Sequence, residues 1–89
     1  MIVVEFAASL RRHVDCAPQV VAPGSLRLVL EAALRAAPGL EHYVFDDQRA
    51  IRKHVAVFVN RQMVQDRQNL NQLLTTGDRV LVVQALTGG

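Results

Sequence analysis

Gly88 and Gly89 close the chain, and their type and placing suit chemistry done by another protein. Neither carries a Cβ, so a segment ending in them can thread a narrow channel and take backbone angles closed to other residues. Considered alone, a frayed end is the better account of a diglycine. Cys16 is the only cysteine, which excludes an internal disulfide and a multi-cysteine zinc site. A lone cysteine in apolar sequence is more often a small buried hydrophobe than a nucleophile. His13, His42 and His54 stand in three separate segments, with no i, i+4 pair and no cysteine partner, so no metal site is expected. Asp46 and Asp47 could hold a cation, but adjacent loop carboxylates usually face water. Arg49, Arg52, Lys53 and His54 form the densest basic run. A solvated loop is the simpler account. The alternative is contact with an acidic partner face, which would speed association more than tighten it.

The elements that must position these residues are few. With 89 residues and 9.8 kDa the chain makes one domain. Hydrophobic residues are 51% and charged residues 20%, so it folds rather than staying disordered. Ten Lys and Arg against eight Asp and Glu leave a net charge of +2, spread along the chain, from which nucleic-acid binding does not follow. No apolar run reaches the roughly 20 residues of a membrane helix. The start, Met1-Ile2-Val3-Val4-Glu5-Phe6, has no basic leader before a cleavage site. The expectation is a soluble cytoplasmic protein.

Met1 to Ala7 reads as a strand, with Ile2, Val4 and Phe6 on one face. Arg11 to His13 reads as a turn, and His13 to Val21 as an edge strand interrupted by Pro18. Ser25 is a helix N-cap before Leu26 to Ala37, where Leu26, Leu30, Ala33, Leu34 and Ala37 recur at helical spacing. Arg27, Glu31 and Arg35 line a solvated stripe of that helix, and Pro38-Gly39 stops it. Glu41 to Lys53 reads as a long loop pinned by Tyr43 and Phe45. His54 to Asn60 alternates as a strand, and Asn60-Arg61-Gln62 turns into a short strand at Met63-Val64. Asn69 to Leu74 reads as a helical turn with Leu70, Leu73 and Leu74 inward, and Thr76-Gly77-Asp78 as a turn. Arg79 to Ala85 is apolar enough for the middle of a sheet. Parallel pairing of the first and last strands would bury both, with the helix as the crossover.

Three pieces together resemble the ThiS/MoaD sulfur-carrier family. They are Val55-Ala56-Val57-Phe58-Val59-Asn60, Leu73-Leu74-Thr75-Thr76-Gly77-Asp78-Arg79-Val80 and the terminal Gly88-Gly89. The resemblance implies an α+β, ubiquitin-like β-grasp fold: a mixed four- to five-stranded sheet, one main helix across it, and a flexible diglycine tail. The division is a domain over 1–85 and a tail over 86–89. It also implies a protein co-substrate rather than an enzyme. An adenylyltransferase related to the ubiquitin-activating enzymes uses ATP to adenylate the Gly89 carboxylate, with Gly88 beside it. A sulfur donor then makes a thiocarboxylate, which passes sulfur to an acceptor synthase; the carrier itself binds no cofactor. A free carboxylate is a poor acyl electrophile, and adenylation supplies the leaving group. Four residues after Ala85 reach at most ~14 Å, enough to enter a partner's active site. Molybdopterin synthesis ranks first as the pathway, with the chain as small subunit beside a large synthase subunit. Cysteine or thiamin synthesis ranks next, and the long Glu41–Lys53 segment looks like the subgroup that includes cysteine-pathway carriers. In place of the prolines often found before the diglycine of molybdopterin-synthase subunits stand Gln84-Ala85-Leu86-Thr87.

If Ile2, Val4, Phe6, Val55, Val57, Val59, Val80 and Val82 face the helix, then Val3, Ala56, Phe58, Leu81 and Val83 face outward. Such a patch marks an interface, unless the Glu41–Lys53 loop covers it with Tyr43 and Phe45. Phe58, Leu81 and Val83, with Leu86 and Thr87 of the tail, are the candidate partner-binding residues. Two other functions stay open: a ubiquitin-like modifier joined to lysines through Gly89, and a β-grasp binding module with an incidental diglycine.

Overall fold

A computed structural model describes residues 1–84. The expectations for Leu86, Thr87, Gly88 and Gly89, and with them the tail over 86–89, lie outside the described residues. The elements in chain order are β1 (Ile2–Phe6), α1 (Ala8–Arg11), β2 (Gln19–Val21), β3 (Gly24–Ser25), α2 (Leu26–Leu34), α3 (Pro38–Val44), β4 (Val55–Val59), β5 (Gln62–Met63), β6 (Leu73–Leu74) and β7 (Arg79–Gln84).

Five strands form one mixed sheet in the order β2-β1-β7-β4-β5. The first and last strands pair in parallel at its centre, Val4 beside Val80 and Phe6 beside Val82. The two flanking hairpins are antiparallel. α2 follows the first hairpin and crosses the sheet, so the parallel pair has its crossover. Ile2, Val4, Phe6, Val55, Val57, Val59, Val80 and Val82 are all buried in one core with Leu26, Leu30 and Leu34 of α2. The expected inward set is therefore the observed one. Ser25 caps α2 as expected, its hydroxyl accepting from Leu28 N–H at 3.2 Å.

The structure differs from the sequence reading in four places. The segment after β1 is a one-turn helix, α1, instead of a turn opening a long strand, and β2 is only three residues. Fully buried Leu10 explains the turn: winding the chain there drops it into the core. Pro38 ends one helix and starts another. It lies in the first turn of α3, where its fixed φ suits the helix and its missing N–H costs nothing. Leu40 and Val44, one turn apart, bury α3 against the core, so the loop expected from Glu41 is helical through Val44. Leu73-Leu74 is a strand paired with Gly24-Ser25, not a helical turn. Leu70 and Leu74 are buried as expected, but Leu73 is 77% exposed. A helical i, i+3, i+4 spacing of leucines also fits an extended segment that buries only two of the three.

Candidate functional site

Two of the sequence pieces that carry the resemblance meet at one end of the sheet. The β4–β5 turn places Asn60 and Arg61 at φ 48 and 70, the left-handed pair that tight hairpins require. Asn60 tolerates this better than most side chains and uses its amide there. Its Nδ2 donates to Asp78 Oδ1 at 2.9 Å, and its Oδ1 accepts from Arg79 N–H at 2.9 Å. Asp78 also accepts from Thr75 N–H at 2.8 Å. That bond, then the one from Asn60, holds the Asp78 carboxyl below its ordinary range. Gly77 takes φ +101, a backbone angle that strains any residue with a Cβ. The turn thereby starts β7 in register beside β4.

The sheet face turned away from α2 carries the candidate interface residues. Registers place Glu5, Leu81, Phe58 and Met63 side by side across β1, β7, β4 and β5. Leu81 is 39% and Met63 56% exposed, and Phe58 is half-buried between them. Val83 lies two residues along β7, half-buried and paired with Ala56. Ala56 itself is buried rather than exposed. The alternative cover for this face does not form. Phe45 is buried on the helix side under the guanidiniums of Arg27 and Arg49, and Tyr43 stacks on His13. Met63 extends the stripe, and the 60%-exposed Val20, which pairs with Val3, lies on the same face beyond Glu5 and Arg79; both were missed in the sequence. Their alternation with exposed neighbours in short edge strands is too brief to read. The Arg79–Glu5 ion pair, 2.9 Å, sits at the same face and is solvated on both sides.

Gln84, the last described residue, ends β7 as described. Ser9 Oγ accepts from Gln84 N–H at 3.2 Å and donates to Gln84 O at 3.3 Å. His13 Nε2 is hydrogen-bonded to Gln84 Oε1 at 2.9 Å, and the His13 ring stacks on Tyr43 with centroids 4.1 Å apart. His42, Tyr43, Arg52 and His54 surround a depression beside Gln84 and Val55. The three histidines, far apart in sequence, thus come to one end of the molecule. Among the described residues no group of His, Cys, Asp and Glu is arranged to hold a metal ion.

The basic run divides. Arg49 pairs with Glu31 at 3.0 Å and Glu41 at 2.6 Å, bonds that, in that order, raise its already high pKa. The stripe expected to be solvated is therefore used: Glu31 takes Arg49, and Arg27 donates to the carbonyls of Arg49 and Gln68. Arg52 instead turns to the depression, its Nε donating to His42 O at 2.6 Å. Cys16 is buried in the core, in the segment before β2 rather than in the strand expected there. Burial, then Asp15, pushes its thiol pKa up, which disfavours the thiolate.

Similar folds occur among solved structures. Small archaeal modifier protein 1 of Haloferax volcanii superposes with a TM-score of 0.78 at 22% identity, covering 99% of this chain and 98% of that one. CysO of Amycolatopsis orientalis, solved in complex with BexX, gives 0.76 at 19% identity over the whole of both chains. The complex of subunits 1 and 2 of molybdopterin-converting factor from Helicobacter pylori gives 0.64 at 20% identity, over 99% and 97%. These likenesses establish the ubiquitin-like β-grasp fold. No curated protein matches by sequence. The ThiS family model matches residues 16–89, most of the chain and its diglycine included, and the chain therefore belongs to the ThiS family.

Proposed function

We propose that this chain is a sulfur carrier whose working group is the carboxylate of Gly89. The observation that carries the reading is the family match, which runs through Gly88 to Gly89. A Gly89 oxygen attacks the α-phosphorus of ATP on a partner adenylyltransferase and pyrophosphate leaves. Sulfide from a donor then attacks the acyl carbon, AMP leaves, and a thiocarboxylate remains for an acceptor synthase to consume. The chain binds no cofactor of its own in this scheme; ATP belongs to the activating enzyme. The globular unit runs to Ala85 and the tail over 86–89. Phe58, Leu81 and Val83 hold the partner from the sheet face, and Leu86 and Thr87 hold it from the tail. Molybdopterin synthesis is the first choice of pathway and cysteine or thiamin synthesis the next, in the cytoplasm.

A modifier joined to lysines through Gly89 is the second reading. The likeness to a protein named as a modifier favours it. Both readings share the adenylate and part at its product. Intact mass after incubation with ATP, the activating enzyme and a sulfide source decides. Exchange of one terminal oxygen for sulfur on the free protein supports the carrier. Stable adducts of higher mass without that exchange overturn it in favour of the modifier. Deleting Gly89 or appending one residue should abolish either product.

A further inference from the structure

We propose that the depression beside Gln84 receives a carboxylate-bearing loop of the enzyme that acts on Gly89. The inference rests on the reading of Gly89 as the group that is charged. The described lining offers donors from Arg52, His42, His54 and Tyr43 over the apolar side of Val55, and it contains no carboxylate. The bond from Arg52 Nε to His42 O uses one of the five guanidinium N–H donors and sets the plane of the others. A guanidinium held in this way suits a carboxylate, which it can meet through two parallel bonds. Lys53, exposed between Arg52 and His54 in sequence, adds to the same sign of charge.

Location selects the occupant. Five residues follow Gln84, and fully extended they span at most about 17 Å. An enzyme whose catalytic channel closes on Gly89 must bring its surface over the ground next to Gln84. That ground includes this depression, on the helix side of the sheet, distinct from the Phe58–Leu81 face. Opposite charge at the rim of a channel steers encounter and sets register, so the effect belongs to the association rate.

The test is ATP–pyrophosphate exchange by the adenylating enzyme of ubiquitin-activating type from the same organism, measured from low to high NaCl. The Arg52→Glu/His54→Glu double variant should lower kcat/KM on the order of tenfold at low salt with kcat unchanged, and the gap should close as salt rises. His54→Glu alone, at an exposed position, should show a smaller loss and guards against a folding defect in the double variant. Arg35→Glu changes charge outside this depression and should stay near wild type. Equal kcat/KM for wild type and both variants at every salt overturns the inference while leaving the carrier reading intact. An equal loss with Arg35→Glu overturns it as a net-charge effect. A rise in kcat/KM overturns it too, since the cluster would then hold the chain's own carboxylate. Absence of exchange with the wild type overturns both readings.

Discussion

Asn60 reaches across from the end of β4 to bond Asp78 at 2.9 Å, joining two turns that lie 18 residues apart in the chain. The same amide accepts Arg79 N–H, so one side chain ties the β4–β5 turn to the start of β7. In the sequence these were an Asn at the end of an apolar strand and a Gly-Asp before another, each commonplace. In space they form one device that sets the register of β7 beside β4.

That device predicts an acid-sensitive contribution to stability. Bonds from Thr75 N–H and Asn60 hold the Asp78 carboxyl below the 3.8 of an unperturbed group. A folded-state pKa below the unfolded one stabilises the fold above the unfolded value, and this is lost as pH falls through the folded value. Asp78→Ala should therefore melt lower than wild type at neutral pH by a few degrees. The difference should shrink once the pH drops below about 4. Melting curves across an acid series check this, and a constant difference at all pH values would remove the ionised carboxylate from the account.

Under the carrier reading Phe58→Asp should weaken binding to the activating enzyme tenfold or more, while far-UV circular dichroism stays that of the wild type. The reason is position. Phe58 is flanked by Leu81 on one side and Met63 on the other, the centre of an apolar row. Central, partly desolvated aromatics supply a disproportionate share of interface energy, at about 2 kcal/mol or more each. A charge at that place also leaves the partner's apolar surface against an unpaired carboxylate. Titration by calorimetry decides, and unchanged affinity in the folded variant would move the docking surface elsewhere.

Cys16 should play no part in sulfur transfer. Its side chain is packed in the core and its thiol pKa is raised by that burial. Alkylation by iodoacetamide should be slower by at least about a hundredfold in the native protein than in denaturant. Under the carrier reading Cys16→Ala should form the terminal thiocarboxylate at the wild-type rate, at a stability cost of about 1 kcal/mol for the small cavity. Loss of sulfur loading in that variant, by intact mass, would instead put the thiol in the pathway.

What could be read from the sequence was what local physics decides by itself. β7 shows an unbroken apolar run from Val80 to Val83 and β1 one broken only by Glu5, because both lie in the middle of the sheet, and α2 shows a capping Ser25 and a regular buried stripe. α1 has neither a side-chain cap nor an acidic first turn, and it is helical because tertiary contacts hold Ser9 and Leu10. Pro38 signals a stop and a start equally well, and only Leu40 and Val44 behind it distinguish the two. The site followed the same division. The outward face came from alternation along β4 and β7, which a single strand displays. The depression at Gln84 draws on α3, the segment before β4, and the end of β7, so no stretch of sequence contains it. The basic run looked uniform in sequence, yet Glu31 and Glu41 claim Arg49 and leave Arg52 to the depression beside Gln84, a partition set by contacts between helices.

The Ser9–Gln84 pair gives the last test, because it governs how firmly the end of β7 is held. One hydroxyl both accepts from Gln84 N–H and donates to Gln84 O, so Ser9→Ala removes two bonds at the end of β7. Val82, two residues earlier, sits fully buried between its strand neighbours Phe6 and Val57. A net bond is worth about 1 kcal/mol, so exchange of the Gln84 amide should speed roughly fivefold while that of Val82 stays as in wild type. Ser9→Thr, which keeps the hydroxyl, should restore most of the protection. Under the carrier reading a looser root makes the partner order more chain on binding, so Ser9→Ala should raise KM for adenylation and leave kcat in place. Amide exchange followed by NMR, beside steady-state kinetics, reads both effects. Unchanged Gln84 exchange would mean that the end of β7 is held without help from α1.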